Sequence, residues 1–487
     1  MTSRLTGAPS RAPQPTEASV VLKSSFSIRV LLLTGDQARR QKVYCDDRER
    51  VISWSMDVYH RRGTKRRRGI ALVAAMLLLL VGRDARGQSA SLPPSSPDFE
   101  VYVPKQYDRA RRWPILFVMD PRGRATVALD LFKPAAERLG YIVMSSRRSL
   151  SDSNDPDVNV RAFNTMLDAA QTDYSIDLRR LYIAGFSGTA RAAVSFAIEL
   201  RGRVAGVVAV GAAPTGGELA FARDSAFAYF AAAGETDFNH DEVVAATERM
   251  RGAKVPYRLE FFPGPHSWPP ADVCGSALEW FTLRAMRGGL IPADSSWLAS
   301  HLNAELTIAD AREKAGRWSD ASRLYEGIAR DYASSPGSEI AQKAAAAIER
   351  RPEYGAWLRR TSELMERDLR QSRELPEILK WFRSERKVPS ADALADRLKI
   401  DELRRQSTQG DSLSAPAATR IIARTLAVLS FYEPRALLDA GDYARARTVL
   451  AVAARIAPLR GESCALLGEI NRRDPSGGSA PRTPSCS

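Results

Sequence analysis

Ser187, Asp237 and His266 have the side-chain types, and stand in the order, that nucleophilic acyl transfer requires. A serine hydroxyl is a poor nucleophile at neutral pH. It needs a base to take its proton, and the base needs an acid to orient it and to stabilise its cationic form. Ser187 lies in the stretch LYIAGFSGTA, Leu181 to Ala190. A short apolar run, Leu181 to Ala184, meets Gly185-Phe186-Ser187-Gly188, and a helix-forming run from Ala190 to Leu200 follows. The pattern predicts a strand, a tight turn and a helix, with the serine at the apex and the helix N-terminus behind it. Flanking glycines are needed where side chains would collide with the neighbouring strand and helix. Thr189 stands where the G-x-S-x-G pattern has its last glycine. An ordinary Gly/Ser turn in a parallel sheet would leave the same local signature.

The base comes from a short choice, because the chain has four histidines: His60, His240, His266 and His301. His266 sits in FFPGPHSWP, directly after the last strand run, framed by Gly264, Pro263 and Pro265. A histidine there can hang over the strand ends and reach the serine. The acid is expected after the preceding strand, in GETDFNHDE, and Asp237 at the turn is the choice. Asp241 and Glu242 fit better as the start of the next helix, where acids suit its dipole, with His240 a surface residue beside them. The chain order Ser187, Asp237, His266 is that expected of α/β-hydrolases. The oxyanion needs two donors. One is the backbone N–H of Gly188; the second is expected within Asp120 to Gly123, with Arg122 nearest. Asp120 itself reads as a turn residue. Phe186 and Trp268 are candidates to line the substrate pocket, with core packing an equal role for Phe186. Arg147 and Arg148, in a polar loop, would favour an anionic substrate unless they are simply solvated.

These residues need a scaffold at whose strand ends they gather. Strands are expected at Phe99–Pro104, Trp113–Met119, Tyr141–Met144, Val204–Val210, Ala226–Ala233 and Tyr257–Phe262, besides the run before Ser187. Helices are expected at Ala125–Leu139, Val158–Tyr174, Asp241–Gly252 and Ala271–Met286. Strands alternating with helices imply a mostly parallel sheet flanked by helices, with ligands at the carboxyl ends of the strands. From about Pro292 strand runs vanish, and Ala, Arg, Glu and Leu recur with helical spacing. Ala315-Gly316-Arg317-Trp318-Ser319-Asp320-Ala321 and Ala440-Gly441-Asp442-Tyr443-Ala444-Arg445-Ala446 are alike: a small-residue turn, an aromatic, then an alanine where two helices cross. They resemble tetratricopeptide helix pairs. They predict degenerate hairpins with irregular helices such as Glu374 to Arg386 between them.

At 487 residues the chain is long enough for two or more domains. Its formal charge of +14 is concentrated at one end. Residues 1–87 hold 17 Lys/Arg against 7 Asp/Glu, a net of +10, which leaves +4 for the rest. No basic stripe with interleaved aromatics exists, so nucleic acid is excluded as a partner. Lys65-Arg66-Arg67-Arg68, the apolar run to Val81 and Ala85-Arg86-Gly87 match a secretory signal, with a retained membrane anchor as the competing reading. Translation from Met56 would make residues 1–55 a mis-assigned or disordered extension, and 56–87 the signal. A linker at 88–98, a hydrolase domain at 99–290, a helical domain at 291–472 and a disordered tail at 473–487 complete the expected organisation. Cys45, Cys274, Cys464 and Cys486 include no C-x-x-C pair and are expected as free thiols.

IAGFSGTA, GETDFN and FPGPHSWP together resemble bacterial α/β-hydrolases of the carboxylesterase, dienelactone hydrolase and polyhydroxybutyrate-depolymerase-like group, over roughly Phe99 to Arg287. The resemblance implies Ser187 as nucleophile, Asp237 as acid and His266 as base, with no metal or organic cofactor. Together with the signal-like segment it points to a secreted or periplasmic serine hydrolase acting on a small-molecule or oligomeric ester. A peptidase or thioesterase on the same fold is the nearest alternative, and a non-catalytic scaffold built on the helical half is another. The tetratricopeptide resemblance implies a peptide or protein partner for that half. No long insertion separates the strands, so an open site without a large lid is expected.

Overall fold

A computed structural model describes residues 44–45, 52–53, 96–214, 227–475 and 486. The expected signal at 56–87, most of the extension before it, most of the linker and residues 476–485 of the tail lie outside the described residues. A two-residue antiparallel pair, Tyr44–Cys45 with Ile52–Ser53, is described within the stretch expected to be irregular. Among the described residues no helix is long and apolar enough to cross a membrane.

Seven strands form one sheet: β1 (Phe99–Tyr102), β2 (Trp113–Met119), β3 (Ile142–Ser146), β4 (Ile176–Phe186), β5 (Gly206–Val210), β6 (Ala228–Gly234) and β7 (Tyr257–Phe262). Their spatial order is β1-β3-β2-β4-β5-β6-β7; β1 runs antiparallel to β3 and every other pairing is parallel. β2 is buried along its whole length, as its unbroken apolar run requires for a strand covered on both faces. Successive side chains point to opposite faces. Leu116 and Val118 join the core made with α1 (Ala125–Leu139) and α5 (Ala271–Arg287), while Phe117 meets Phe163 of α2 (Val158–Asp173) edge-on. α3 (Gly188–Glu199) follows β4 directly, and α4 (His240–Gly252) lies between β6 and β7 in sequence. The order places the carboxyl ends of β4, β5, β6 and β7 side by side.

The core of the sheet does not stop at residue 290. Ala309 of α6 (Ser295–Lys314), Leu324 and Ile328 of α7 (Trp318–Asp331) and Ile348 of α8 (Pro336–Glu349) belong to the same apolar cluster as Phe230 and Trp280. A second core, with Leu379, Phe382, Val449 and Ile470, organises the last helices. Both expected hairpin turns form: Gly316 and Gly441 each adopt φ 74, a left-handed conformation that favours glycine. The alanines expected at the crossings, Ala321 and Ala446, are fully buried. Glu374–Arg386 is not an independent irregular helix. Its residues as far as Ser384 end a 33-residue helix, α9 (Pro352–Ser384), which carries Pro376 inside it. Cys464 and Cys486 form a disulfide, with Cα atoms 5.7 Å apart, so they are not free thiols and one point of the tail is fixed. Cys274 is free and buried, as expected for a small apolar side chain.

Candidate active site

Ser187 stands between β4 and α3 with φ 56 and ψ −129, a conformation that costs energy for a residue with a side chain. The strand and the helix hold it there. Its N–H donates to the Val210 carbonyl at 2.8 Å, tying the apex to the end of β5. A Cβ on Gly185 would lie 2.2 Å from the Thr189 carbonyl oxygen, so strand and helix approach at glycine distance. Thr189, at the position of the missing third glycine, is fully buried. Its hydroxyl is 2.5 Å from the Met119 carbonyl and accepts from the Phe186 N–H at 3.1 Å. The threonine thus fastens the turn to the end of β2, while Gly185 supplies the space.

His266 Nε2 lies 2.9 Å from Ser187 Oγ, and His266 Nδ1 lies 2.9 and 3.0 Å from the two Asp237 carboxylate oxygens. The structure therefore joins the three residues in one hydrogen-bonded chain. Two loops that bind each other carry Asp237 and His266. The Thr236 N–H and hydroxyl both donate to the Gly264 carbonyl, at 3.0 and 2.9 Å. A Cβ on Gly234 would lie 2.3 Å from that same oxygen. Asp237 is completely buried, and its Oδ1 also accepts from the Asn239 N–H at 2.8 Å. Gly211, at φ 61, lies beneath the pair; a Cβ there would stand 2.9 Å from Asp237 Oδ2 and 3.1 Å from His266 Cε1. The His266 ring rests between Phe238 and Phe186, with centroids 4.1 and 4.6 Å away.

Phe186 is buried beside the base, and Trp268 packs on it while donating Nε1–H to Asp120 Oδ2 at 2.8 Å. Phe186 therefore buttresses His266, and Trp268 backs Phe186. Asp120 is more than a turn residue: it is fully buried and also accepts from Arg124 Nε and Nη2, at 3.0 and 2.9 Å. Burial pushes its carboxyl up, but the bonds from Arg124, Trp268 and the Arg122 and Arg124 N–H groups outweigh it and hold it below the usual range.

Gly188 opens α3, where a first-turn N–H has no intrahelical acceptor and can face an oxyanion. A Cβ there would meet Ser151 Oγ at 2.5 Å, and that hydroxyl is buried without a hydrogen-bond partner among the described residues. The second expected donor is not free. The Arg122 N–H donates to Asp120 Oδ1 at 2.8 Å, because the aspartate side chain folds back over its own turn. The Arg122 guanidinium points to Glu462 at 3.9 Å and is largely exposed. Arg147 pairs with Glu100 and Arg148 with Asp98, so both serve the β1 side. His240 is not a simple surface residue: it pairs with Asp241 at 2.7 Å and stacks on Phe261. Asp241 is buried, and Glu242 accepts from Arg191 at 2.6 Å and the Ala213 N–H at 3.1 Å. Among the described residues no cluster of three or more His, Cys, Asp or Glu could hold a metal ion.

The helices after residue 290 reach these loops. Arg420 and Arg424 bond the loop that carries Asp237, and Glu462 pairs with Arg122. None of this is foreshadowed by a motif; Gly211 and Ser151 likewise carry no signal beyond a small residue after a strand.

No protein-family model and no curated protein matches this chain. Among solved structures it is similar to a ferulic acid esterase at 18% identity, over 37% of this chain and 88% of that one, with a TM-score of 0.31. It is also similar to FphF, a fluorophosphonate-binding serine hydrolase of Staphylococcus aureus, at 14% identity, over 39% of this chain and 96% of that one, with a TM-score of 0.34. Est1E from Butyrivibrio proteoclasticus is similar at 11% identity, over 39% and 94% of the two chains, with a TM-score of 0.32. At these identities and TM-scores the likenesses decide nothing about activity. The sheet order, the strand–serine–helix turn and the placement of acid and base at neighbouring strand ends give the chain an α/β-hydrolase fold followed by a helical region.

Proposed function

We propose that this chain is a serine hydrolase that cleaves carboxylic esters through an acyl-enzyme on Ser187. The observation that carries the reading is the unbroken chain Ser187 Oγ–His266–Asp237 at 2.9 to 3.0 Å, with the serine held at positive φ above a helix N-terminus. His266 Nε2 takes the Ser187 proton as Oγ adds to the ester carbonyl carbon. Asp237 accepts from Nδ1 and offsets the imidazolium charge. The oxyanion meets the Gly188 N–H at the positive end of α3. The tetrahedral intermediate collapses, His266 returns the proton to the departing alkoxide, and the alcohol leaves. Water then enters; His266 takes its proton, hydroxide adds to the acyl carbon, and the acid leaves as Ser187 regains its proton. No metal or organic cofactor is needed in any step.

A secreted or periplasmic setting is part of the proposal. The apolar run before Gly87 supports it, and so does the Cys464–Cys486 disulfide, since disulfides persist in oxidising compartments. A peptide or protein partner of the helical region remains part of the proposal through its paired helices. The test is labelling of the full chain with a fluorophosphonate probe, beside its Ser187→Ala variant. The expected result is labelling that vanishes in the variant, followed by turnover of p-nitrophenyl esters. A folded protein that takes no label overturns the reading.

A further inference from the structure

Two arginines from the last third of the chain grip the loop of the catalytic acid. Arg420 and Arg424 lie one turn apart on α10 (Ser414–Ala427). Arg424 Nη2 donates to the Phe238 carbonyl, 186 residues away in sequence. Its guanidinium is aimed by Asp368 of α9, to which Nη1 and Nη2 donate at 2.9 and 2.8 Å. Arg420 donates to the Glu235 carbonyl and to Asp241 Oδ2, each at 3.3 Å. The loop is thus held at 235, 238 and 241, on both sides of Asp237. Phe238 is at once the acid's neighbour and the ring that packs 4.1 Å from His266. Asp368 is fully buried, and the two arginine side chains are 10% and 13% exposed, so the grip is made away from solvent screening.

Such a network is costly to bury unless every member is paired. Joining sheet to helices does not require it to touch the acid loop. Arg258, Asp331 and Glu305 join the same two parts of the molecule at the edge strand, without bonding any loop of the triad. What sets Arg420 and Arg424 apart is their targets, which include two backbone carbonyls flanking Asp237. A loop-borne group needs such support, because productive geometry tolerates only about half an ångström of error.

We propose that Arg420 and Arg424 are positioning residues for Asp237, so that the helical region holds the acid beneath His266 and is a working part of the hydrolase. The inference rests on the serine-hydrolase reading of Ser187. Its test uses the full chain as wild type, Arg424→Gln, Asp237→Asn and the double variant. Fluorophosphonate labelling rates, p-nitrophenyl ester kinetics and melting temperatures are measured for each. The expected result is labelling slowed roughly ten- to a hundredfold by Arg424→Gln, with kcat falling and KM little changed. In the Asp237→Asn background the same substitution should change the rate by less than about twofold, because its effect passes through that carboxylate. A rate equal to wild type, or the same fold loss in both backgrounds, overturns the proposal. Should Arg424→Gln fail to fold, Arg420→Gln, which keeps the Arg424–Asp368 pair, takes its place in the cycle. Wild type that labels at Ser187 while the variants keep its rate removes only the positioning role. Wild type that does not label removes the hydrolase reading and this inference together.

Discussion

Two buried seams join the sheet to the helices, and they differ in what they touch. At the first, Arg258 of edge strand β7 donates to Asp331 at 2.8 Å and pairs with Glu305 at 3.2 Å, while Trp280 Nε1–H donates to the same Asp331 oxygen at 2.8 Å. Gly327 of α7 lets the helix close over it, since a Cβ there would meet Arg258 Nη1 at 2.6 Å. Burial lowers the guanidinium's proton affinity, but Glu305 and Asp331 outweigh it and hold it above the usual range. At the second, Arg420 and Arg424 engage Asp241, Asp368 and the carbonyls of the acid loop. Both seams place inward-pointing charge where a bare strand edge or loop would be exposed. The first covers a strand edge; the second ends on the loop of the proposed catalytic acid. Similar chemistry thus joins an edge strand to helices in one place and, in the proposed reading, sets geometry in the other.

Substitutions can separate the two. The largest loss is expected from Asp237→Asn, in the loop that the second seam holds: labelling should slow by about 10³–10⁴-fold, since the imidazole loses its orienting charge. A loss under tenfold, measured with the same probe, would detach that seam from catalysis. Arg258→Ala should act on the other axis. It leaves Asp331 and Glu305 without their buried partner, at a cost of about 3–5 kcal/mol by denaturant unfolding. The labelling rate of the folded fraction should not change; a matching fall in rate would erase the contrast between the seams. Trp280→Phe removes one donor to the same carboxylate while keeping an aromatic ring, with an expected cost of about 1.5–3 kcal/mol and again no change in rate.

The smallest effect belongs to a carboxylate of neither seam. Asp120 is held below its ordinary range in the folded chain, so the unfolded chain binds its proton more readily. Its contribution to stability is complete above the unfolded value near 3.8 and is lost as pH falls through the lower folded value. Unfolding curves between pH 5 and pH 3 should therefore steepen for wild type relative to Asp120→Asn. Parallel curves would show that the bonds from Arg124 and Trp268 do not favour the charged form.

Much of the site was legible because its signals are local. Ser187 announces itself through Gly185, Gly188 and an apolar strand run; Asp237 and His266 follow strands directly and stand in a telling order. Most strand and helix spans are likewise local matters of run length and periodicity. Arg122 shows where that reasoning ends. Its place after β2 is readable, but whether its N–H is free depends on which way the Asp120 side chain turns. Arg420 and Arg424 are two arginines on an amphipathic helix, indistinguishable by pattern from solvated ones. The reach of the helical region toward the site was hidden for a related reason. Helices far along the chain return to the acid loop and to Arg122.

By itself the sequence determined the strand–turn–helix around Ser187, the alternation that makes a mostly parallel sheet, and the glycine turns that begin two helical hairpins. Each follows from backbone freedom and from apolar spacing within a few turns of chain. The tertiary structure alone decided the lengths of approach that close the triad, the burial of Asp120 and the pairing of Cys464 with Cys486. It also decided that the helical region grips the acid. Hydrogen bonds and ion pairs between residues 179 and 185 positions apart depend on how whole elements pack, and packing depends on every side chain in the interface rather than on any one run.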